Sequence, residues 1–263
     1  MNWVRVSKQN RCSICGKDDW CTVAEDGSVA CCMRVESQKR MKNGGWLHRL
    51  KEQTPRPVYR APVKAYVDFY RTWRDWNVQT NDVDIVKCAA LLGVSEQSLS
   101  DLGASWAWPH GAWAFPMRSG AGDVVGIRLR ADNGRKWAVT GSRQGLFLPV
   151  AWPESSQVAL VCEGPTDTAA ALSVGFKAIG RPSCLGCEQI VTDTCKRLNI
   201  RRIVIVADND GPGRDGAKKL ADFMKIPNKT IVPPAKDLRE WVRSGATFDL
   251  VNCVINQKLW RMP

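Results

Sequence analysis

Over residues 158–243, short apolar runs alternate with amphipathic stretches. Val158-Ala-Leu-Val-Cys162, Ile203-Val-Ile-Val-Ala207 and Lys229-Thr-Ile-Val232 have the length and nearly unbroken apolar character of strands covered on both faces. Residues 166–174, 188–198 and 214–224 between and beyond them read as helices. Strand alternating with helix predicts a parallel sheet wrapped by helices. Upstream, residues 63–103 change period. AYVDFYRTWRDW places apolar residues three to four apart, and DIVKCAALLGVSEQSLSDLG reads as two short helices around Gly93. Residues 106–150 change again, to β-rich runs at 112–117, 124–127 and 136–140 separated by Gly and Asn-Gly turns.

The first fifty residues show neither period. They are Cys-rich, punctuated by Gly, and too few to build an apolar core without a staple. KEQTPRPVYRAPVK follows, with prolines at 55, 57 and 62, and reads as a semi-extended tether. The expected organisation is a multi-module α/β chain. Residues 1–50 form a metal-bound ribbon, 51–62 a linker, 63–150 a basic mixed α+β subdomain, 151–245 a parallel-sheet α/β domain, and 246–263 a C-terminal helix or tail.

Two of the apolar runs end in acids. Val158–Cys162 is followed by Glu163-Gly-Pro-Thr-Asp167, and Ile203–Ala207 by Asp208-Asn-Asp210-Gly211. In an open α/β sheet the functional crevice lies at the carboxyl ends of the strands. Glu163, Asp208 and Asp210 are expected to converge there, a crowd of like charges that is costly unless divalent cations are bound.

The 263-residue chain carries a formal charge of +12, with a sequence pI near 9.3. No block of like charge stands alone, so the excess is spread over folded surface and points to a phosphate-rich partner. Between 118 and 143 lie Arg118, Arg128, Arg130, Arg135, Lys136 and Arg143 against two acids, and Arg128 and Arg130 share one strand face. Such a face suits phosphates and single-stranded nucleic acid. Most of the twelve tryptophans, such as Trp73 and Trp76, sit at helical spacing as core residues. The helix pair around Gly93 has helix-turn-helix length, yet its second helix lacks the basic residues for duplex readout.

Cys12-x2-Cys15-x5-Cys21 and then Cys31-Cys32 supply five of the eleven cysteines within 21 residues. An odd count with a Cys-x-x-Cys knuckle argues for metal rather than disulfides. Four thiolates close a structural Zn²⁺ site. Cys12, Cys15 and Cys21 are expected ligands, with Cys32 as the fourth and Cys31 as its packed neighbour. No apolar run approaches the roughly 20 residues of a membrane span. The start, MNWVRVSKQNRCSICG, lacks the apolar stretch of a signal peptide. A cytoplasmic protein with no membrane partner is expected.

VCEGPTDTAAAL followed by VIVADNDGPGRDGA resembles the TOPRIM domain of bacterial-type primases, type IA topoisomerases, some nucleases and recombination proteins. With the cysteine ribbon, Phe115-Pro-Met-Arg118 and Gly126-Ile-Arg-Leu-Arg130 ahead of it, the chain is similar to bacterial and phage primases of the DnaG type over roughly residues 10–245. It departs from them in a ribbon without the usual histidine-bearing first pair, a compressed core, and no helicase or helicase-binding domain after residue 245. The resemblance implies RNA primer synthesis on single-stranded DNA from ribonucleoside triphosphates, in a bacterial cell or by a phage or mobile-element protein in its host. It implies that Glu163 is a general base or metal ligand, and that Asp208 and Asp210 hold Mg²⁺ or Mn²⁺. Asp167 and Asp237 fall where further acidic ligands occur. Arg118 and Arg130, with Lys136, match basic positions near the nascent strand or nucleotide. Arg128 and Arg143 join them as expected phosphate contacts.

The alternatives within the resemblance are a TOPRIM nuclease and a non-catalytic, recombination-mediator-like DNA clamp. A topoisomerase is excluded, because Tyr59, Tyr66 and Tyr70 all lie upstream of the acids. No Gly-x4-Gly-Lys-Ser/Thr stretch occurs and one helix at most follows the acids, so unwinding is expected from a helicase or single-strand-binding partner.

Overall fold

A computed structural model of the protein describes residues 2–42, 44–50, 67–152 and 157–263. The chain divides into two compact units, Met1–Val63 and Lys64–Pro263. The tether expected at 51–62 lies outside the described residues.

In the N-terminal unit four short strands, β1 (Trp3–Arg5), β2 (Thr22–Ala24), β3 (Val29–Cys32) and β4 (Trp46–Arg49), pair antiparallel in chain order. Its buried core is Val6 with the thiols Cys12, Cys21 and Cys32, flanked by Ile14, Cys15 and Met33. A core so dominated by sulfur cannot hold the unit by apolar burial alone.

The C-terminal unit contains two four-stranded sheets. Helices α1 (Phe69–Gln79), α2 (Asp82–Leu92) and α3 (Glu96–Asp101) precede an antiparallel meander of β5 (Ser105–Ala107), β6 (Ala112–Arg118), β7 (Val124–Arg130) and β8 (Lys136–Ala138). Gly93 ends α2 in the left-handed conformation at φ 70°, which splits the two short helices where expected. Strand β6 is buried on both faces, and its alternation explains how. Ala112 and Ala114 face α1 through Trp73, while Trp113, Phe115 and Met117 face α2 and α3 through Leu92 and Leu99.

The second sheet is parallel, in the order β10-β9-β11-β12: β9 (Val158–Glu163), β10 (Ala178–Arg181), β11 (Arg202–Val206) and β12 (Asn228–Ile231). Ala159, Val161, Ile203 and Ile205 pack on α5 (Glu188–Arg197) and α6 (Gly211–Phe223). The alternate residues Leu160, Cys162, Val204 and Val206 pack on α4 (Gly164–Ser173), α7 (Leu238–Arg243) and α8 (Phe248–Asn256). Both faces are covered, which is why these strands carry no polar alternation. No helix among the described residues is long and apolar enough to cross a membrane.

Three details differ from the sequence expectation. Helices α4 and α6 start two or three residues earlier, because Gly164-Pro165 and Gly211-Pro212 form their first turns, where the missing proline N–H costs nothing. Strand β10 has too few apolar residues to stand out. It includes Gly180 because a Cβ there would collide with Thr168 and approach the Gly164 carbonyl oxygen at 3.0 Å. The basic strand reaches Arg130, three residues past the expected end, while β8 stops at Ala138.

Gly216 fixes how closely α6 approaches the loop after β10. A Cβ on Gly216 would come within 2.8 Å of the Cys184 carbonyl carbon. Gly216→Ala should therefore destabilise the unit by about 1–3 kcal/mol in urea unfolding. In an uncrowded helix the same change would stabilise by about 1 kcal/mol.

Candidate active site

The strand order reverses direction between β9 and β11, and a crevice opens at their carboxyl ends. Glu163 is the last residue of β9, and Asp208 lies two residues beyond β11. Glu163 occupies the N-cap position of α4 but caps nothing with its side chain, which leaves the carboxylate to the crevice. Asp167, one turn into α4, is buried, and its Oδ1 accepts the Arg239 N–H at 2.9 Å. Asp237 caps α7, accepting the Glu240 N–H at 2.7 Å. The Asn209 N–H donates to the Lys236 carbonyl at 2.8 Å, which ties the Asp208 loop to the Asp237 loop. Glu163, Asp167, Asp208 and Asp237 thus line one cavity of about 140 Å³. Asp210 does not line it. It caps α6 by accepting the Gly213 N–H at 2.7 Å, and it bears on Glu163 and Asp208 through its charge.

The opposite wall comes from the antiparallel sheet. Arg128 and Arg130 of β7 and Lys136 of β8 reach the same cavity, as the shared strand face predicts. Arg128 donates to the Pro182 carbonyl at 3.3 Å. Arg118 and Arg143 do not join them. They line a separate cavity of about 830 Å³ beside Phe69 and Tyr70, where Arg118 donates to the Gly122 carbonyl at 3.1 Å and lies over Trp73.

Three basic residues escaped the sequence reading. Lys236 and Arg239 line the cavity on either side of Asp237. Arg181, 2% exposed, sits opposite Glu163 in the β9–β10 register and donates to the Cys184 carbonyl at 3.0 Å. Its signal was the one used for the acids, a charged residue ending a short apolar run, but the run Ala178-Ile-Gly was too short to register.

Burial pushes the Glu163 carboxyl above its ordinary range; Arg181 opposes that rise and Asp210 adds to it. Asp208 is pushed up to about 7 by burial, then by Glu163, Asp237 and Asp210. Asp167 reaches about 7 by burial and by Asp237, against the Arg239 N–H. Carboxyls in this state favour protons until a stronger cation displaces them. Among the described residues, no three of these acids form a close ligand cluster of the kind the thiols make. Spaced carboxylates suit Mg²⁺ or Mn²⁺, because Mg²⁺ keeps several waters and takes one or two protein carboxylates plus substrate phosphates.

The thiols of Cys12, Cys15, Cys21 and Cys32 all lie within 4.8 Å of one another. Cys15 and Cys21 are 3.7 Å apart and Cys21 and Cys32 4.0 Å, close to the roughly 3.8 Å edge of a tetrahedron with Zn–S near 2.3 Å. Backbone N–H groups of Met33, Arg34 and Val35 point at Cys21 and Cys32 sulfurs, as expected around thiolates. Burial opposes charge on Cys15, yet the Lys17 N–H and the neighbouring thiols bring it down to about 7, while burial pushes Cys21 up to about 12. The four-thiol set fits Zn²⁺. Cys31 alternates to the other side of β3 and packs beside Gly45.

No protein-family model matches the chain, and a search of curated proteins finds no match. Solved structures do match. The E. coli primase catalytic core is similar at 15% identity over 73% of this chain and 80% of its own, with a TM-score of 0.53. The DnaG primase catalytic domain bound to single-stranded DNA gives 15%, 73%, 79% and 0.53. The zinc-binding and RNA polymerase domains of Aquifex aeolicus primase give 13% over 74% of this chain and 60% of that one, with 0.57. At these identities the likeness is one of fold: the chain has the fold of a DnaG-type primase catalytic core.

Proposed function

We propose that the chain is a DNA primase, a nucleotidyltransferase that joins ribonucleotides on a single-stranded DNA template. The observation that carries this reading is the cavity itself. Carboxylates from the ends of two parallel strands face Arg128, Arg130 and Lys136 from the neighbouring sheet, in a fold shared with DnaG cores. Acids on one wall suit metal-bound phosphates, and cations on the other suit the triphosphate and template backbone. In this reading a 3′-hydroxyl oxygen bonds to the α-phosphorus of an incoming ribonucleoside triphosphate. The bond to the bridging oxygen of the β-phosphate breaks, and pyrophosphate leaves.

Glu163, Asp208 and Asp210 would hold Mg²⁺ or Mn²⁺, with Asp167 and Asp237 adding charge behind them. When bound, the ion lowers the pKa of the attacking hydroxyl and neutralises charge on the phosphates. Glu163, with its raised pKa, is suited to accept the hydroxyl proton. Arg128, Arg130 and Lys136 hold and orient the triphosphate, and Arg239 and Lys236 extend the positive wall. Arg118 and Arg143, in their separate cavity, contact the template. The subdomains at 63–150 and 151–245 divide these tasks, and the tail at 246–263 closes the parallel sheet. A helicase or single-strand-binding protein that opens and presents the template belongs to the same proposal. The cysteine ribbon carries Zn²⁺ as scaffold, because a closed four-thiolate site has no open position for chemistry.

Three outcomes are expected. With single-stranded DNA, ribonucleoside triphosphates and Mg²⁺, the protein should make short oligoribonucleotides. Asp208→Asn and Glu163→Gln should each reduce that rate by about 10³-fold or more, the loss of several kcal/mol of charge stabilisation. Their thermal stability should hold or rise as carboxylate repulsion is relieved. Degraded DNA in place of new RNA would instead make the chain a nuclease.

The second concerns pH. Asp167 titrates near 7 when folded, above roughly 3.9 when unfolded, so the native state binds the extra proton. Its contribution is full below about pH 4 and is lost as pH rises through 7. Without divalent cations, stability should fall over that window by a few kcal/mol on account of this group. Asp167→Asn should flatten the profile relative to wild type in parallel denaturation series, and Mg²⁺ should offset the wild-type loss at pH 7.5.

The third concerns metal. Protein purified without chelator should contain one zinc per chain by metal analysis. Cys12→Ser and Cys32→Ser should lose it and Cys31→Ser should keep it; the reverse for the last two would reassign the fourth ligand.

A further inference from the structure

The chain carries a second Cys-x-x-Cys, Cys184-Leu-Gly-Cys187, which neither the zinc ribbon nor the carboxylate chemistry uses. It lies in the bend at 182–186 between β10 and α5, with Cys187 at the N-cap of α5. Both thiols are free, and among the described residues only the ribbon thiols form a group of three or more ligands placed to hold an ion. In a reducing compartment a Cys-x-x-Cys next to a parallel sheet that holds no metal is a candidate redox pair. Gly186 and Cys187 are both left-handed, at φ 82° and 67°. Glycine adopts that conformation freely and cysteine only at a cost, so the turn stores strain at its second thiol. Two intervening residues on a bent chain bring the Cα atoms within reach of the roughly 4.4–6.8 Å that a disulfide requires.

The two thiols are unequal. Cys187 is 8% exposed, packs in the core with Leu146 and Val191, and its Sγ donates to the Gln144 Oε1 at 3.6 Å. Cys184 is half-buried, so a reagent from solution meets it first. Both thiols lie within electrostatic reach of the Arg181 guanidinium. The main chain of Cys184 ties the pair to the crevice. Its carbonyl accepts from Arg181 at 3.0 Å, and its N–H donates to the Glu163 carboxylate. The buried Arg181 Nε has no hydrogen-bond partner among the described residues, so the Cys184 carbonyl is a main hold on that guanidinium. One peptide unit thus steadies both the acid and the cation set opposite it.

We propose that Cys184 and Cys187 form a reversible disulfide by exchange with a low-molecular-weight disulfide such as oxidised glutathione, and that its closure displaces the Cys184 peptide from Glu163 and Arg181. The Cys184 sulfur attacks one sulfur of the oxidant, breaks its S–S bond and expels one thiolate. The Cys187 sulfur, released from Gln144, then attacks the Cys184 sulfur of the mixed disulfide and expels the second thiolate. The two cysteine thiols are oxidised, the oxidant is reduced to two thiols, and the two cysteine protons end on them. The disulfide itself stands on the loop alone; its effect on a metal ion at Glu163 rests on the proposed active site.

Zinc-loaded full-length protein is equilibrated in mixtures of reduced and oxidised glutathione, quenched in acid, alkylated under denaturing conditions and digested. As the mixture becomes more oxidising, the peptide carrying residues 184 and 187 should lose two hydrogens and take up no alkyl group. Dithiothreitol should reverse the change, and the buried Cys162 and Cys195 should stay alkylated throughout. Glutathione on Cys184 with no internal link, or both thiols alkylated under every mixture, would overturn the disulfide. In parallel, Mn²⁺ binding followed by calorimetry should weaken about fivefold on oxidation. Cys184→Ser and Cys187→Ser should bind Mn²⁺ alike with and without oxidant. The first spares the core thiol and guards against a folding artefact in the second. A complete disulfide with unchanged Mn²⁺ affinity would overturn the coupling to the crevice. Because the mass readout needs no metal, a failed active-site proposal and a failed disulfide give different results.

Discussion

Carboxylates drawn to the ends of parallel strands repel one another in a half-buried crevice, and much of the C-terminal unit is arranged around that repulsion. Burial and mutual charge lift Asp167 and Asp208 to about 7. The surrounding structure answers with fixed cations. Arg181 stands opposite Glu163 in register, Arg239 donates its N–H to Asp167, and β7 presents Arg128 and Arg130 across the gap. These cations are also held under strain of their own, since burial lowers the pKa of Arg128, Arg130 and Arg181. Each wall thus reduces the cost of the other.

Most of this was legible in the chain. The ends of β9 and β11 announced themselves because an acid directly after an unbroken apolar run has no structural purpose. Arg128 and Arg130 followed from strand alternation. The residues that were missed share a cause. Arg181 ends a four-residue strand whose apolar run is interrupted by Gly180, and Lys236 just before and Arg239 within the six-residue helix α7 belong to an element too short to show a period. Arg118 and Arg143 show the converse limit. Charge content placed them in a basic segment, but β6 and the turn after β8 aim them at another cavity, and only register and turn geometry decide that.

In the N-terminal unit the order of causes is reversed. Sulfur spacing could be read as metal ligation, and β3 decides between the adjacent cysteines by alternation, with Cys32 turned to the cluster and Cys31 away. The strands themselves were not foreseen, since runs of three or four residues carry too little pattern. In such a module the ligands take the place that an apolar core takes elsewhere, so thiol geometry carries the fold information and hydrophobicity carries little.

One junction sets the dimensions of the crevice. Arg118 of β6 pairs with Leu146, and the next residue, Phe147, pairs with Gly180 of β10, through reciprocal backbone hydrogen bonds of 2.7–2.9 Å. A two-residue seam, Leu146–Phe147, therefore joins the edge of the antiparallel sheet to the edge of the parallel one through two isolated bridges. The distance between the acidic and basic walls is then a property of peptide geometry, independent of the side chains that line them. A wall side chain can therefore be replaced while the gauge of the site stays constant, whereas a single residue inserted at 146–147 would shift one sheet edge against the other and reset every distance at once.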